Sequence, residues 1–73
     1  MRLSPTPYRQ IRRKLHSAGF VEISQKGSHV KFMKVSPVGT RIVIVPRHSR
    51  DVPRGTLRSI LNQAGLTPDA FEK

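Results

Sequence analysis

Residues 20–46 read Phe20-Val21-Glu22-Ile23-Ser24-Gln25-Lys26-Gly27-Ser28-His29-Val30-Lys31-Phe32-Met33-Lys34-Val35-Ser36-Pro37-Val38-Gly39-Thr40-Arg41-Ile42-Val43-Ile44-Val45-Pro46. Val21 and Ile23 alternate with Glu22 and Ser24, the Lys26-Gly27-Ser28 triplet breaks the run as a turn, and the period of two resumes at His29. The stretch predicts a β-hairpin whose second strand sends Val30 and Phe32 to one face and His29, Lys31 and Met33 to the other. A second turn at Ser36-Pro37-Val38-Gly39 leads to a third strand over Arg41 to Pro46, rich in β-branched residues. Its unbroken apolar run, Ile42 to Val45, implies burial on both faces, or a partner lying over the face that the rest of the chain leaves open.

Outward from this meander the period lengthens. Before it, Thr6 and Pro7 read as an N-cap and first helical position, with Tyr8, Ile11, Leu15 and Ala18 recurring until Gly19 stops a helix over about residues 7–18. The opposite face of that helix carries Arg9, Arg12, Arg13 and His16. Like charges stacked at such spacings cost a few tenths of a kcal/mol each, so the face is either simply solvated or lies along phosphates. After the meander comes a polar loop from Arg47 to Arg54. Leu57, Ile60, Leu61 and Ala64 then mark a second helix over about residues 54–64, closed by Gly65. Thr67-Pro68 repeats the cap signal, and Phe71 is placed to fold a last short turn back on the core. The order α-β-β-β-α predicts an α+β fold, with two helices on one face of a three-stranded antiparallel sheet. Residues 1–73 are read as one domain, with its core over about residues 7–66.

Charge narrows the function. The chain has 14 Lys and Arg against 4 Asp and Glu, a net +10. Eleven of the basic residues lie in residues 1–50 with Glu22 as the sole acid there, whereas residues 51–73 balance. A solubilising surface needs a net charge of only about 2 to 8 in a small domain, so an anionic partner is implied. Nucleic acid suits better than a membrane, since the chain has no Trp and three Phe and lacks a broad aromatic or leucine-rich face. No cysteine is present, which removes disulfides and thiolate metal sites. No run approaches the roughly 20 apolar residues of a membrane span and no signal-peptide pattern is found, so the cytoplasm is the expected setting.

The four acids, Glu22, Asp51, Asp69 and Glu72, show no spacing that converges on a divalent ion, and there is no nucleotide-binding loop or serine nucleophile elbow. No metal or other cofactor is expected. Chemistry, if present, rests on histidine. RNA offers a reaction that needs no metal: a base takes the 2′-OH proton, the oxygen attacks the neighbouring phosphorus, and cations stabilise the added charge. His29 follows a glycine turn at the start of a strand, with Lys26, Ser28, Lys31 and Arg47 as candidate phosphate contacts. His48, in Arg47-His48-Ser49-Arg50, is a candidate second acid or base, or with Arg50 a phosphate contact. His16 reads as surface. By spacing alone, an exposed His29 without catalytic duty is the more ordinary reading.

Four blocks carry a resemblance: Leu15-His16-Ser17-Ala18-Gly19-Phe20, then Gln25 to His29, then Val45-Pro46-Arg47-His48, then Gly55-Thr56-Leu57-Arg58-Ser59-Ile60-Leu61-Asn62-Gln63-Ala64-Gly65. In this order, over roughly residues 8–66, the sequence resembles the HicA toxins, also called YcfA-like proteins. The resemblance implies a double-stranded-RNA-binding-like α-β-β-β-α fold, cleavage of messenger RNA without ribosomes, and neutralisation by a HicB-type antitoxin that covers the active site. It places the family's catalytic histidine on His29 and a recurring histidine on His48. Two departures stand out: the turn over Lys34 to Thr40 is longer than the short Asp-Gly turn common in the family, and Pro5 and Pro7 are not its usual start. Double-stranded-RNA-binding domains bind without cutting. A non-catalytic RNA-binding module of the same fold is therefore the alternative, with a DNA-binding accessory protein as a third.

Overall fold

The apolar stripes of both helical stretches close on one side of the strands. In the computed structural model, which describes residues 3–72, the elements are α1 (Tyr8–Ser17), β1 (Val21–Lys26), β2 (His29–Ser36), β3 (Gly39–Pro46), α2 (Arg54–Ala64) and α3 (Pro68–Glu72). Tyr8, Ile11 and Leu15 of α1 and Leu57, Ile60, Leu61 and Ala64 of α2 meet Val30, Phe32, Val43 and Val45 of the sheet in one core. Burying each large side chain contributes about 1.5 to 3 kcal/mol. Leu3, Val52 and Phe71 of α3 close the core beyond α1 and α2, and Thr67 Oγ1 caps α3 by accepting from the Ala70 amide at 3.1 Å.

The sheet is antiparallel in the order β1-β2-β3. Its first hairpin has a two-residue loop, Gly27-Ser28, between the Lys26 and His29 pair, and Gly27 takes the left-handed conformation (φ 59) that this tight turn needs. The second hairpin corrects an expectation. Pairing continues through Val35–Thr40 to Ser36–Gly39, so only Pro37 and Val38 remain as the loop, and the longer turn is absorbed into longer strands. β-branched Val35 and Thr40 favour that extension.

Thr6 is also not the cap of α1. Pro7 holds that position in extended conformation with no side-chain cap, and helical residues begin at Tyr8. Thr6 instead bridges Val52, its amide donating to the Val52 carbonyl at 3.1 Å and receiving the Val52 amide on its own carbonyl at 2.7 Å. The Thr6 hydroxyl, which the cap would have used, donates instead to the Ser4 carbonyl at 2.8 Å. The bridge ties the start of α1 to the segment leading into α2.

The far end of α2 is fastened to β3. The Gln63 side chain accepts the Ile44 amide at 3.2 Å, filling a free position on the outer edge of the sheet. Arg41 donates to the Gln63 carbonyl at 3.4 Å and lies against Gly65, where a Cβ would stand 2.6 Å from its guanidinium carbon.

The other face of the sheet is open. Val21 (55% exposed) and Ile42 (41% exposed) project there with Met33 and Val35, as the alternation opposite Val30, Phe32 and Val43 requires. The apolar run in β3 is therefore half buried: Val43 and Val45 belong to the core and Ile42 to the open face.

Candidate active site around His29

A β-bulge decides what stands beside His29. In β1 the register shifts between Glu22 and Ser24, so the alternation is interrupted at Ile23 and every later residue changes face. Glu22 pairs with core-facing Phe32, and beyond the bulge Gln25 pairs with core-facing Val30. Lys26 is thereby turned to the open face, directly opposite His29. Without the bulge, Lys26 would point toward α1.

His29 is exposed while Val30 beside it is fully buried. Its cross-strand neighbours are Lys26 on β1 and Pro46 on β3. Lys31 follows on the same face of β2, about 7 Å along the strand. Two ammonium groups flanking an imidazole on a wet surface can hold a phosphodiester while the imidazole exchanges a proton with a hydroxyl or leaving oxygen beside the phosphorus. Ser28 forms the second half of the turn, and its carbonyl accepts the Arg47 amide, which extends the β2–β3 ladder past Pro46.

Arg47 lies beside this turn, yet its guanidinium leaves toward the helices. It donates to Gln25 Oε1 at 3.2 Å and lies 5.4 Å from the centre of the Tyr8 ring. Tyr8 is buried, and among the described residues its phenol oxygen has no hydrogen-bond partner. Burial lifts the phenol pKa above its ordinary value; Glu22 adds to this, while Arg47 and Arg12 oppose it. Gln25 Nε2 donates in turn to the Gly27 carbonyl at 3.1 Å.

The basic face of α1 is divided. Arg12 is engaged by the Glu22 carboxylate, which holds its guanidinium above its ordinary pKa through that hydrogen bond and the attached charge. His16 joins the same carboxylate at 4.0 Å and rests edge-on against Phe32, ring centres 6.1 Å apart, so it belongs to the α1–β1 seam. Among the described residues, Arg9 and Arg13 make no ion pair with a carboxylate. His48 and Arg50 are exposed in the loop after β3, where they line a shallow cleft with Pro46, Val52, Pro53 and Thr56 at the start of α2. Among the described residues no three His, Asp or Glu side chains gather as a metal site.

Sequence reasoning passed over Tyr8, Gln25 and Glu22. Glu22 carried a signal, being the only acid in the first fifty residues. Gln25 stood in the block that ends at His29, but nothing in that block announced its bond to Arg47, twenty-two residues on, and Tyr8 read only as part of the apolar stripe of α1.

From the first residue of α1 to just past α2, residues 8–66 match the family described as the HicA toxin of bacterial toxin-antitoxin systems. The chain belongs to the HicA toxin family. None of the curated proteins matches it. HicA membership makes this a toxin of a toxin–antitoxin pair, with an antitoxin as its protein partner. The HicA match includes the whole sheet, the His29 turn and the His48 loop, and leaves α3 outside. Among the described residues no helix is long and apolar enough to cross a membrane.

Proposed function

We propose that this HicA toxin is a metal-independent endoribonuclease that cleaves messenger RNA in the cytoplasm, with His29 as general base or acid. The observation that carries the reading is the exposed His29 at a fixed turn, facing Lys26 across the hairpin and Lys31 along its own strand. His29 takes the 2′-OH proton as the 2′ oxygen bonds to phosphorus. The bond from phosphorus to the 5′ oxygen then breaks, and an acid returns a proton to that oxygen. His48 is the candidate for this second role. Lys26 and Lys31 stabilise the charge on the phosphoryl oxygens. Arg9, Arg12, Arg13, Ser28, Arg47 and Arg50 complete the RNA-binding set, Arg12 by exchanging Glu22 for a phosphate.

Cleavage is expected to persist in excess EDTA and to leave a 2′,3′-cyclic phosphate and a 5′-hydroxyl, read by end-labelling and mass spectrometry. Fragments with 5′-phosphates, or activity that returns only with magnesium, overturn the mechanism. A wild-type protein that binds labelled RNA without generating fragments is the non-catalytic binding module instead.

The antitoxin partner is proposed to be of the HicB type and to cover His29. The open sheet face supports this, because it joins an apolar patch (Val21, Met33, Ile42) to Lys26 and Lys31 and so suits an acidic, strand-presenting inhibitor. Reaction of His29 with diethyl pyrocarbonate is expected to be fast in the free toxin and blocked in the complex. An inhibited complex in which His29 reacts as before places the antitoxin elsewhere.

A further inference from the structure

We propose that Tyr8, Arg47 and Gln25 form a positioning relay that holds the Gly27-Ser28 turn, and through it sets the orientation of His29. The inference rests on the reading of His29 as catalytic. His29 is exposed, so packing does not fix its direction, and the turn before it contains a glycine at φ 59, the residue type with the most conformational freedom. Something outside the turn must restrain it if a proton is to be transferred at a defined place.

Gln25 supplies that restraint from β1. Its Nε2 donates to the Gly27 carbonyl at 3.1 Å while its Oε1 receives the Arg47 guanidinium at 3.2 Å, so both ends of one amide are occupied. Arg47 meets the same turn a second time through its backbone, donating to the Ser28 carbonyl. The turn is thus held at two successive carbonyls, one by a side chain and one by a neighbouring strand. Tyr8 completes the relay from α1. Its buried ring offers a face to the guanidinium at 5.4 Å, a placement that restricts Arg47 through the ring quadrupole. A guanidinium has five N–H donors in a rigid fork, so Arg47 can carry this duty and still offer an edge to RNA. The bulge in β1 makes the relay possible, because it turns Gln25 to the α1 side.

Gln25→Ala tests the relay without altering charge. In the full chain, kcat is expected to fall about tenfold, as a small misplacement of a reacting group does, with KM, the salt dependence of RNA binding and the melting temperature unchanged. Hydrogen exchange at the Ser28 and His29 amides should accelerate about tenfold, a readout that does not depend on activity. Combining Gln25→Ala with Arg47→Ala should lower kcat no further than the larger single change, since both cut one path. Wild-type kcat and exchange in Gln25→Ala overturn the proposal, as does a raised KM with kcat unchanged, which marks Gln25 as an RNA contact. His29→Ala measured alongside separates the failures. If that variant cleaves at the wild-type rate, the catalytic reading itself is wrong; if it is inactive while Gln25→Ala is fully active, only the relay is lost.

Discussion

His29→Ala is expected to lower the rate of RNA cleavage by about 10² to 10⁴, the range lost with a general acid or base, and to abolish toxicity while the fold and most RNA affinity remain. The structure separates these effects. The His29 ring is on the open face, and the neighbour that supports the core is Val30, fully buried on the other side. The backbone pairing of His29 with Lys26 and Pro46 does not need an imidazole. Lys26 and Lys31 remain to bind phosphate, so a filter-binding isotherm should shift little. His48→Ala assigns the second role: a comparable loss makes it the acid that protonates the leaving oxygen, and a smaller loss makes it a phosphate contact. Unchanged cleavage by His29→Ala, with a matching circular dichroism spectrum, removes His29 from the mechanism.

Phe32→Ala is expected to unfold the protein at ordinary temperature. Phe32 is fully buried at the centre of β2, among the residues that join both helices to the sheet, and His16 rests on its edge. Truncating such a phenylalanine costs about 3 to 5 kcal/mol through lost burial and an unfilled cavity. A single core in a domain of this size supplies only about 3 to 5 kcal/mol, without disulfides to help. The variant should show no cooperative thermal transition, and collapsed amide dispersion in its NMR spectrum. Ile42→Ala on the open face of the neighbouring strand provides the contrast, with a change of about 0.5 kcal/mol or less. A cooperative melt of Phe32→Ala within a few degrees of wild type contradicts the assignment of Phe32 to the central core.

Much of this was legible in the chain. The period of 3.6 in α1 and α2 and the period of 2 across the meander depend on the backbone geometry of each element alone. They therefore specified the order of elements, the core stripes and the side of β2 on which His29 stands. The charge imbalance of residues 1–50 and the four motif blocks pointed to an anionic partner and to the HicA family for the same reason: both are properties of composition and order.

Tertiary structure decided which residues meet. Alternation alone carries Gln25 and Lys26 to the faces opposite to those they occupy, because nothing local in Glu22-Ile23-Ser24 announces the bulge that reverses them. That reversal put Lys26 with His29 and Gln25 with Arg47. Thr6 carried a cap signal, yet a backbone bridge to Val52, forty-six residues away in the chain, took it instead. Glu22 drew Arg12 and His16 out of what read as a uniform basic face. In each case the partner is distant in sequence, and a preference encoded within a few residues yields to hydrogen bonds and ion pairs that exist only once the helices have packed on the sheet.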